Sequence, residues 1–336
     1  MEVVKLVEVT RGELVESVHR GAVAVVDIEG RVIARAGDAS YPTYIRSAAK
    51  PMQALPVVES GAAAFFSLNT EELALLTASH SGEDEHVRVG KQIIEKIGLD
   101  EQYLQCGTHP PLHQASARKL LGQGLEPTVF HCTCSGKHAG MLALAKFFNW
   151  PLHNYYLLEH PVQQLMLRAM ADFAGLKPED IPVGIDGCGV PVFAMSLERM
   201  ALAYARWASP VMFGEERKRS CFILHEAMTT YPLLVAGTGR LATDLMKAAG
   251  RRLVVKDGTE GIFCISVPER GWGIALKIED GQTRAVGPAV VEVLNQIGLL
   301  SSEENEKLTQ HARRKLKNYR GEIIGEVRPA FALNWR

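Results

Sequence analysis

The sequence predicts a mixed α/β fold, in which both chain ends contribute to one antiparallel sheet and a helical region lies between them. Three observations predict it: the alternating run GAVAVVDIEGRVIARAGD over residues 21–38, three short apolar runs in meander spacing between Arg252 and Ile278, and helix-period segments over about 41–249. The sheet is expected from about 1–40 and 250–336. Neither end holds enough strands alone, so a single domain over 1–336 with a large helical insertion is predicted.

The first run turns at Glu29-Gly30 and reads as a β-hairpin. A helix follows from Ser47 to Glu59, closed by Gly61. Asn69 is placed to cap the next helix with Glu72 three residues on, and Ser81 to cap a further helix that ends near Gly98. From Gln105 to Gly140 the periodicity fails, and prolines, histidines and the HCTCSGKHAG string mark loops around a helix. Helices resume at Ala139–Phe148, Pro161–Ala174 and Ser196–Ala208, with a tight glycine turn at Asp186-Gly187-Cys188-Gly189 between the last two. Helices at Lys218–Thr230 and Leu241–Ala249 lead to strands at Arg252–Lys256, Gly261–Val267 and Gly273–Ile278. A helix at Ala285–Ile297 and a closing strand near Glu322–Val327 complete the chain.

Composition narrows the function classes. At 336 residues with 47% hydrophobic and 22% charged content the chain can bury a large core. Lys and Arg number 37 against 38 Asp and Glu, which gives no nucleic-acid footprint and no basic membrane-surface patch, so the expected partner is a small molecule. The opening MEVVKLVEVTRGELVESVHRG lacks a basic start and an uninterrupted apolar run, and no 18-residue apolar stretch follows. A cytoplasmic protein with reduced thiols is expected. Its six cysteines are then small buried hydrophobes, metal ligands or catalytic thiols before they are disulfides.

Candidate chemistry begins at RSAAKPMQAL, where Ser47 and Lys50 stand three apart at a helix start. On one helix face that spacing brings Cβ atoms to about 5–6 Å, within reach of a lysine base and a serine nucleophile. A second Ser-x-x-Lys string, Ser116 to Lys119, lies in a polar stretch and is read as a solvated face. Ser47-x-x-Lys50, Ser79-His80-Ser81 and Lys256-Asp257-Gly258 occur in an order that resembles the serine β-lactamase and penicillin-binding arrangement, although the second element lacks its Asn and Asp257 replaces Thr. Two amines converging on two hydroxyls would disfavour each other's charge and make one a base near neutral pH.

A second cluster, Cys132-Thr133-Cys134-Ser135-Gly136-Lys137-His138 with distant Cys188, is open to two readings: a tetrahedral zinc site, or thiols packed in a helical core. The Walker glycine is missing before Ser135-Gly136-Lys137, and the histidine spacing does not fit a zinc deaminase. His80, His86, His109, His113, His131 and His138 are each read as structural on their own.

The strings RSAAKPMQALP, ASHSGEDEHV, CGTHPPLH, CSGKHAGML, DGCGVPVFAM and KDGTEG together resemble the Rhizobium-type L-asparaginase II family over nearly the whole chain. The resemblance implies a serine β-lactamase/glutaminase-like fold, hydrolysis of L-asparagine to L-aspartate and ammonia, and a homodimer. It implies Ser47 as nucleophile with Lys50 as base, and Ser79 with Lys256 as a second Ser-Lys pair. Cys134, Lys137 and Cys188 fall where the family binds zinc, a metal not required to make the nucleophile. Arg46 would pair with the substrate carboxylate, Asp186 with its amine, and His138 would line the same pocket. Cys132 and His131 receive no role. The alternatives are a glutaminase or another serine amidase or lactamase-like hydrolase, and a non-catalytic zinc-containing amino-acid-binding protein.

Overall fold

The structure, a computed structural model, describes residues 2–336 and divides into two compact units. One comprises the chain through Ala48, Met195–Ser209 and Asp244–Arg336; the other comprises Ala49–Ala194 and Pro210–Thr243.

The first unit holds a nine-stranded sheet. In spatial order it runs Arg314–Lys317, Ile323–Pro329, Val4–Arg11, Leu14–Asp27, Trp272–Ile278, Ile262–Val267 and Val254–Gly258, and every pair with a defined register is antiparallel. Val32–Ala36 pairs with the second half of Leu14–Asp27 and with Asn334–Trp335. Both chain ends therefore build one sheet, as the order of apolar runs predicts. The hairpin at Glu29-Gly30 is present, and Leu14–Asp27 starts earlier than its alternation suggests, because Leu14–Gly21 pairs with Val4–Arg11, a strand the sequence reading left out. The helix Leu197–Ala208 belongs to this unit and packs on three of its strands, burying Tyr204 and Trp207.

The second unit is helical. Its central helix, Lys50–Glu59, is buried from Lys50 through Val57 and packs against Ser135–Phe147, Pro161–Ala174 and Glu215–Thr230. A helix buried on all sides shows no amphipathic stripe. The same holds for Ser135–Phe147, buried from Ser135 through Ala145, which is why it begins four residues before the Ala139 start that periodicity predicts.

Local chemistry sets several ends. Asn69 caps Thr70–Leu76 through a reciprocal box: the Glu72 N–H donates to the Asn69 side chain at 2.9 Å, and the Asn69 N–H donates to the Glu72 carboxylate at 2.8 Å. Asn69→Ala should lower stability by about 1 kcal/mol in urea unfolding, and an unchanged midpoint would remove the cap from the account. Ser81 does not cap the following helix. Its hydroxyl donates to the Ala236 carbonyl at 2.9 Å, and Glu83 stands at the N-cap of Asp84–Lys96 instead. A partner 155 residues away has outcompeted the local cap. No helix among the described residues is long and apolar enough to cross a membrane.

Candidate functional site

In the sheet-bearing unit the candidate residues gather at one end of the strand Val254–Gly258. A Cβ on Gly258 would lie 3.0 Å from the Ile45 carbonyl oxygen, so this strand end approaches the backbone just before Arg46 and Ser47. Arg46 opens the short 3-10 turn Arg46–Ala49 with φ of 52°, the left-handed region that side-chain-bearing residues seldom take. Such a conformation costs on the order of 1–3 kcal/mol and persists where its surroundings hold it. Tyr204 supplies one hold by donating its hydroxyl to the Ala48 carbonyl at 2.7 Å, and Ser266 donates to the Tyr204 carbonyl at 2.6 Å. Ser47 is 9% exposed. Lys256 is fully buried, and its Nζ donates to the Asp257 carboxylate at 2.6 Å and to the Asp257 carbonyl at 2.8 Å. Its positive charge thus has an immediate counter-charge, which the comparison of lysines alone left out.

In the helical unit Lys50 begins the central helix and is 1% exposed. Its Nζ donates to the Ser79 hydroxyl at 3.0 Å, to the Thr133 carbonyl at 3.4 Å and to the Ala78 carbonyl. The Ser79 N–H donates to the Val235 carbonyl at 2.9 Å, which holds the segment as it leaves Thr70–Leu76. The spacing in the chain pairs Lys50 with Ser47; the fold of this unit joins Lys50 to Ser79.

The same unit assembles the sulfur cluster. Cys134 stands at the N-cap of Ser135–Phe147, and Cys188 sits in the glycine turn between Val183–Ile185 and Pro191–Ser196. That turn is closed by the Gly189 N–H donating to the Asp186 carbonyl and the Asp186 N–H donating to the Val190 carbonyl, both at 2.9 Å. Lys137 Nζ lies 3.2 Å from Cys188 Sγ. Hydrogen bonds from Cys132 and Cys188 hold the Cys134 thiol well below its ordinary range, with the Lys50 and Lys137 cations adding to the effect. Cys188 is pushed up by its bond to Cys134, and Cys132 by its bonds to Cys106 and Cys134. Burial opposes the charge on Lys137, yet the Cys188 and Cys134 sulfurs and the Asp186 carboxylate raise its pKa above that of a free lysine. Cys132, without a role in the sequence reading, donates its thiol proton to the Cys106 carbonyl at 3.4 Å.

Among the described residues, no group of three or more His, Cys, Asp and Glu side chains is gathered for a metal.

Several histidines are structural. The Gly82 N–H donates to His80 Nδ1 at 3.1 Å, so Nε2 carries the proton and donates to the Ser135 hydroxyl at 2.8 Å. The His80 ring stacks on His86 at 4.8 Å, and His86 bridges the Glu83 N–H and the Leu233 carbonyl. His131 accepts from the Thr128 N–H at 2.9 Å and closes a short turn. His138 Nδ1 is 2.7 Å from the Tyr155 hydroxyl, and burial followed by the neighbouring Lys137 cation pushes His138 down to about 3. Tyr155 and the Ala78 and Thr133 carbonyls were invisible in the sequence, since each reaches its partner across the fold. Ser116 and Lys119 bond to His113 and Asp84 on the helix Gln114–Gly122, away from this cluster's contacts.

Burial lowers the pKa of His80 and of His86, both fully inaccessible to solvent. The unfolded chain binds a proton at each near pH 6.5 more readily than the folded chain, so stability falls as pH drops below about 6.5. We expect a loss of roughly 1.4 kcal/mol per pH unit for each histidine kept neutral, read as a lower urea midpoint at pH 5.5 than at pH 7.5. Equal midpoints would show that both rings accept a proton in place.

A fold with buried Ser-Lys contacts and a thiol-amine cluster can be compared with known proteins. The sequence model of the family described as L-asparaginase II matches residues 7–329. The chain belongs to the L-asparaginase II family, a family of amidohydrolases. Nothing among curated proteins matches it. Of solved structures, Mglu in its native form in 4.3 M NaCl is similar at a TM-score of 0.47 and 15% identity, over 84% of this chain and 62% of that one. The chain thus spans less than two thirds of the length of that protein. A β-lactamase from Mycobacterium bovis is similar at 0.39 and 11%, over 87% of this chain and 95% of that one. Bacillus glutaminase is similar at 0.37 and 14%, over 83% and 91%.

Proposed function

We propose that this chain hydrolyses the side-chain amide of L-asparagine to L-aspartate and ammonia. The observation that carries the reading is a buried lysine amine, Lys50, 3.0 Å from a serine hydroxyl, in a chain of this family and three residues after a second serine. Ser47 Oγ attacks the amide carbon as its proton passes to Lys50, which takes it in the neutral amine form, and the C–N bond breaks as that proton moves to the departing nitrogen. Water then attacks the β-aspartyl ester, gives a proton back to the serine and frees L-aspartate. Ser79 bridges to Lys50 and extends the proton path. Arg46 takes the substrate carboxylate, Asp186 its amine and His138 one of its oxygens.

Cys134, Lys137 and Cys188 would hold a zinc ion, which in this electron-rich set would brace the glycine turn against the helix Ser135–Phe147. Holding it would require both sulfurs as thiolates and Lys137 as a neutral amine. Metal analysis of the purified protein should find about one zinc per chain, and Cys188→Ala should lose it; full zinc in that variant would move the site elsewhere. Family membership also supports a homodimer, which mass in solution tests.

The functional test is ammonia release from L-asparagine and from L-glutamine by the full chain. Faster release from L-asparagine supports the reading. Preference for L-glutamine makes the chain a glutaminase, and saturable binding without turnover makes it a sensor.

A further inference from the structure

We propose that Tyr155 is a positioning residue that fixes the tautomer of His138, so that Nε2 carries the ring proton and donates it to an acceptor oxygen of the substrate. For the identity of that substrate the inference rests on the amide-hydrolase reading above.

A phenol has one proton and this one sits in a defined setting. Tyr155 is fully buried, its backbone carbonyl accepts from Gln163 Nε2 at 2.8 Å, and its hydroxyl oxygen accepts from the Gln105 N–H at 2.9 Å. The remaining contact is His138 Nδ1 at 2.7 Å, with the two rings edge to face at 82°. If the phenol donates to Nδ1, its hydroxyl is fully used, accepting from the Gln105 N–H and donating to the ring. If Nδ1–H donates instead, the phenol proton is left in a dry interior with no other acceptor among the described residues, and the Nε2 lone pair is idle as well. Each arrangement leaves one buried donor without a protein partner, Nε2–H in the first and the phenol O–H in the second, and only the second also leaves the Nε2 lone pair unused, so the first is favoured.

The consequence lies on the far side of the ring. His138 is fully buried, and its Nε2 has no hydrogen-bond partner among the described residues. Native interiors rarely leave such a group without a use. With the proton on Nε2 the ring has no lone pair for a metal, so His138 stays outside the donor set of Cys134, Lys137 and Cys188. What it fits is an acceptor, such as a carboxylate oxygen, or an amide oxygen as charge builds on it.

The test is two-bond nitrogen–proton NMR of the histidine rings in the full-length protein, with His138→Gln as the assignment control. The expected spectrum shows His138 protonated at Nε2 and bare at Nδ1, with a mixed population in Tyr155→Phe. A ring protonated at Nδ1 in the natural protein overturns the proposal. Kinetics supply a second reading, because His138→Gln keeps a donor near the ε position and His138→Asn moves it towards the δ position. KM for L-asparagine should stay within about threefold in the Gln variant and rise by roughly tenfold or more in the Asn variant, with kcat changing less in both. Equal KM values in the two variants would also overturn it. Should the natural protein turn over neither amide, the functional reading fails while the NMR result still decides the tautomer. Should Tyr155→Phe not fold, the spectrum of the natural protein decides alone.

Discussion

Ser47→Ala is expected to abolish ammonia release from L-asparagine, with kcat falling by roughly 10⁴-fold or more and substrate binding largely kept. The magnitude follows from the role: removing a nucleophile deletes the covalent route, and what remains comes from positioning and electrostatic stabilisation. The substitution removes one oxygen from a side chain that makes no hydrogen bond among the described residues, so the thermal midpoint should hardly move. Ser79→Ala behaves differently. It deletes the oxygen that accepts from Lys50 at 3.0 Å and leaves that amine with two backbone carbonyls, so activity drops without losing the acyl route. Rapid quenching and peptide mass analysis should find the β-aspartyl adduct on the peptide that carries Ser47. An adduct on the peptide that carries Ser79 would exchange the two serines and make the observed Lys50–Ser79 contact the nucleophile's own activation.

Gly136→Ala should destabilise the chain by about 3 kcal/mol or more, although alanine is the better helix former by about 1 kcal/mol. Gly136 lies in the second position of Ser135–Phe147, next to Lys137 and His138, and a Cβ there would fall 2.1 Å from the Leu75 carbonyl oxygen and 2.8 Å from its carbon. Backbone cannot swing aside as the end of a side chain can, so the helix or the end of Thr70–Leu76 must move. Gly140, one turn on, meets only side-chain carbons of Leu76 and Val57 at 3.3–3.5 Å, and Gly140→Ala should change stability by no more than about 1 kcal/mol. Thermal and urea unfolding of the two variants compare them directly. Equal stability of both would mean that the close approach of this helix to the end of Thr70–Leu76 is not a constraint on this fold. A Gly136→Ala protein that folds should also lose zinc and substrate affinity, since Lys137 and His138 ride on the displaced turn.

The sequence by itself determined whatever is settled within a few residues. The Asn69 and Glu72 box, Pro161 at the first turn of Pro161–Ala174, the turn at Glu29-Gly30 and the three strands between Val254 and Ile278 all follow from local propensity and period, and the structure has them in place. The family was legible too, because motifs such as RSAAKPMQALP, CSGKHAGML and DGCGVPVFAM are spread along the chain, and the family match runs over 7–329.

Tertiary structure alone decided the partners. Ser81 has a good N-cap side chain but gives its proton to Ala236; Ser135–Phe147 has no stripe because every side is covered; Val4–Arg11 is a strand because it is paired on both edges. Likewise Lys50 bonds to Ser79, Lys256 to Asp257 and His138 to Tyr155. A buried polar group must find a partner wherever the fold brings one within 3 Å or so, and that choice is made by packing across tens or hundreds of residues, which no local pattern encodes.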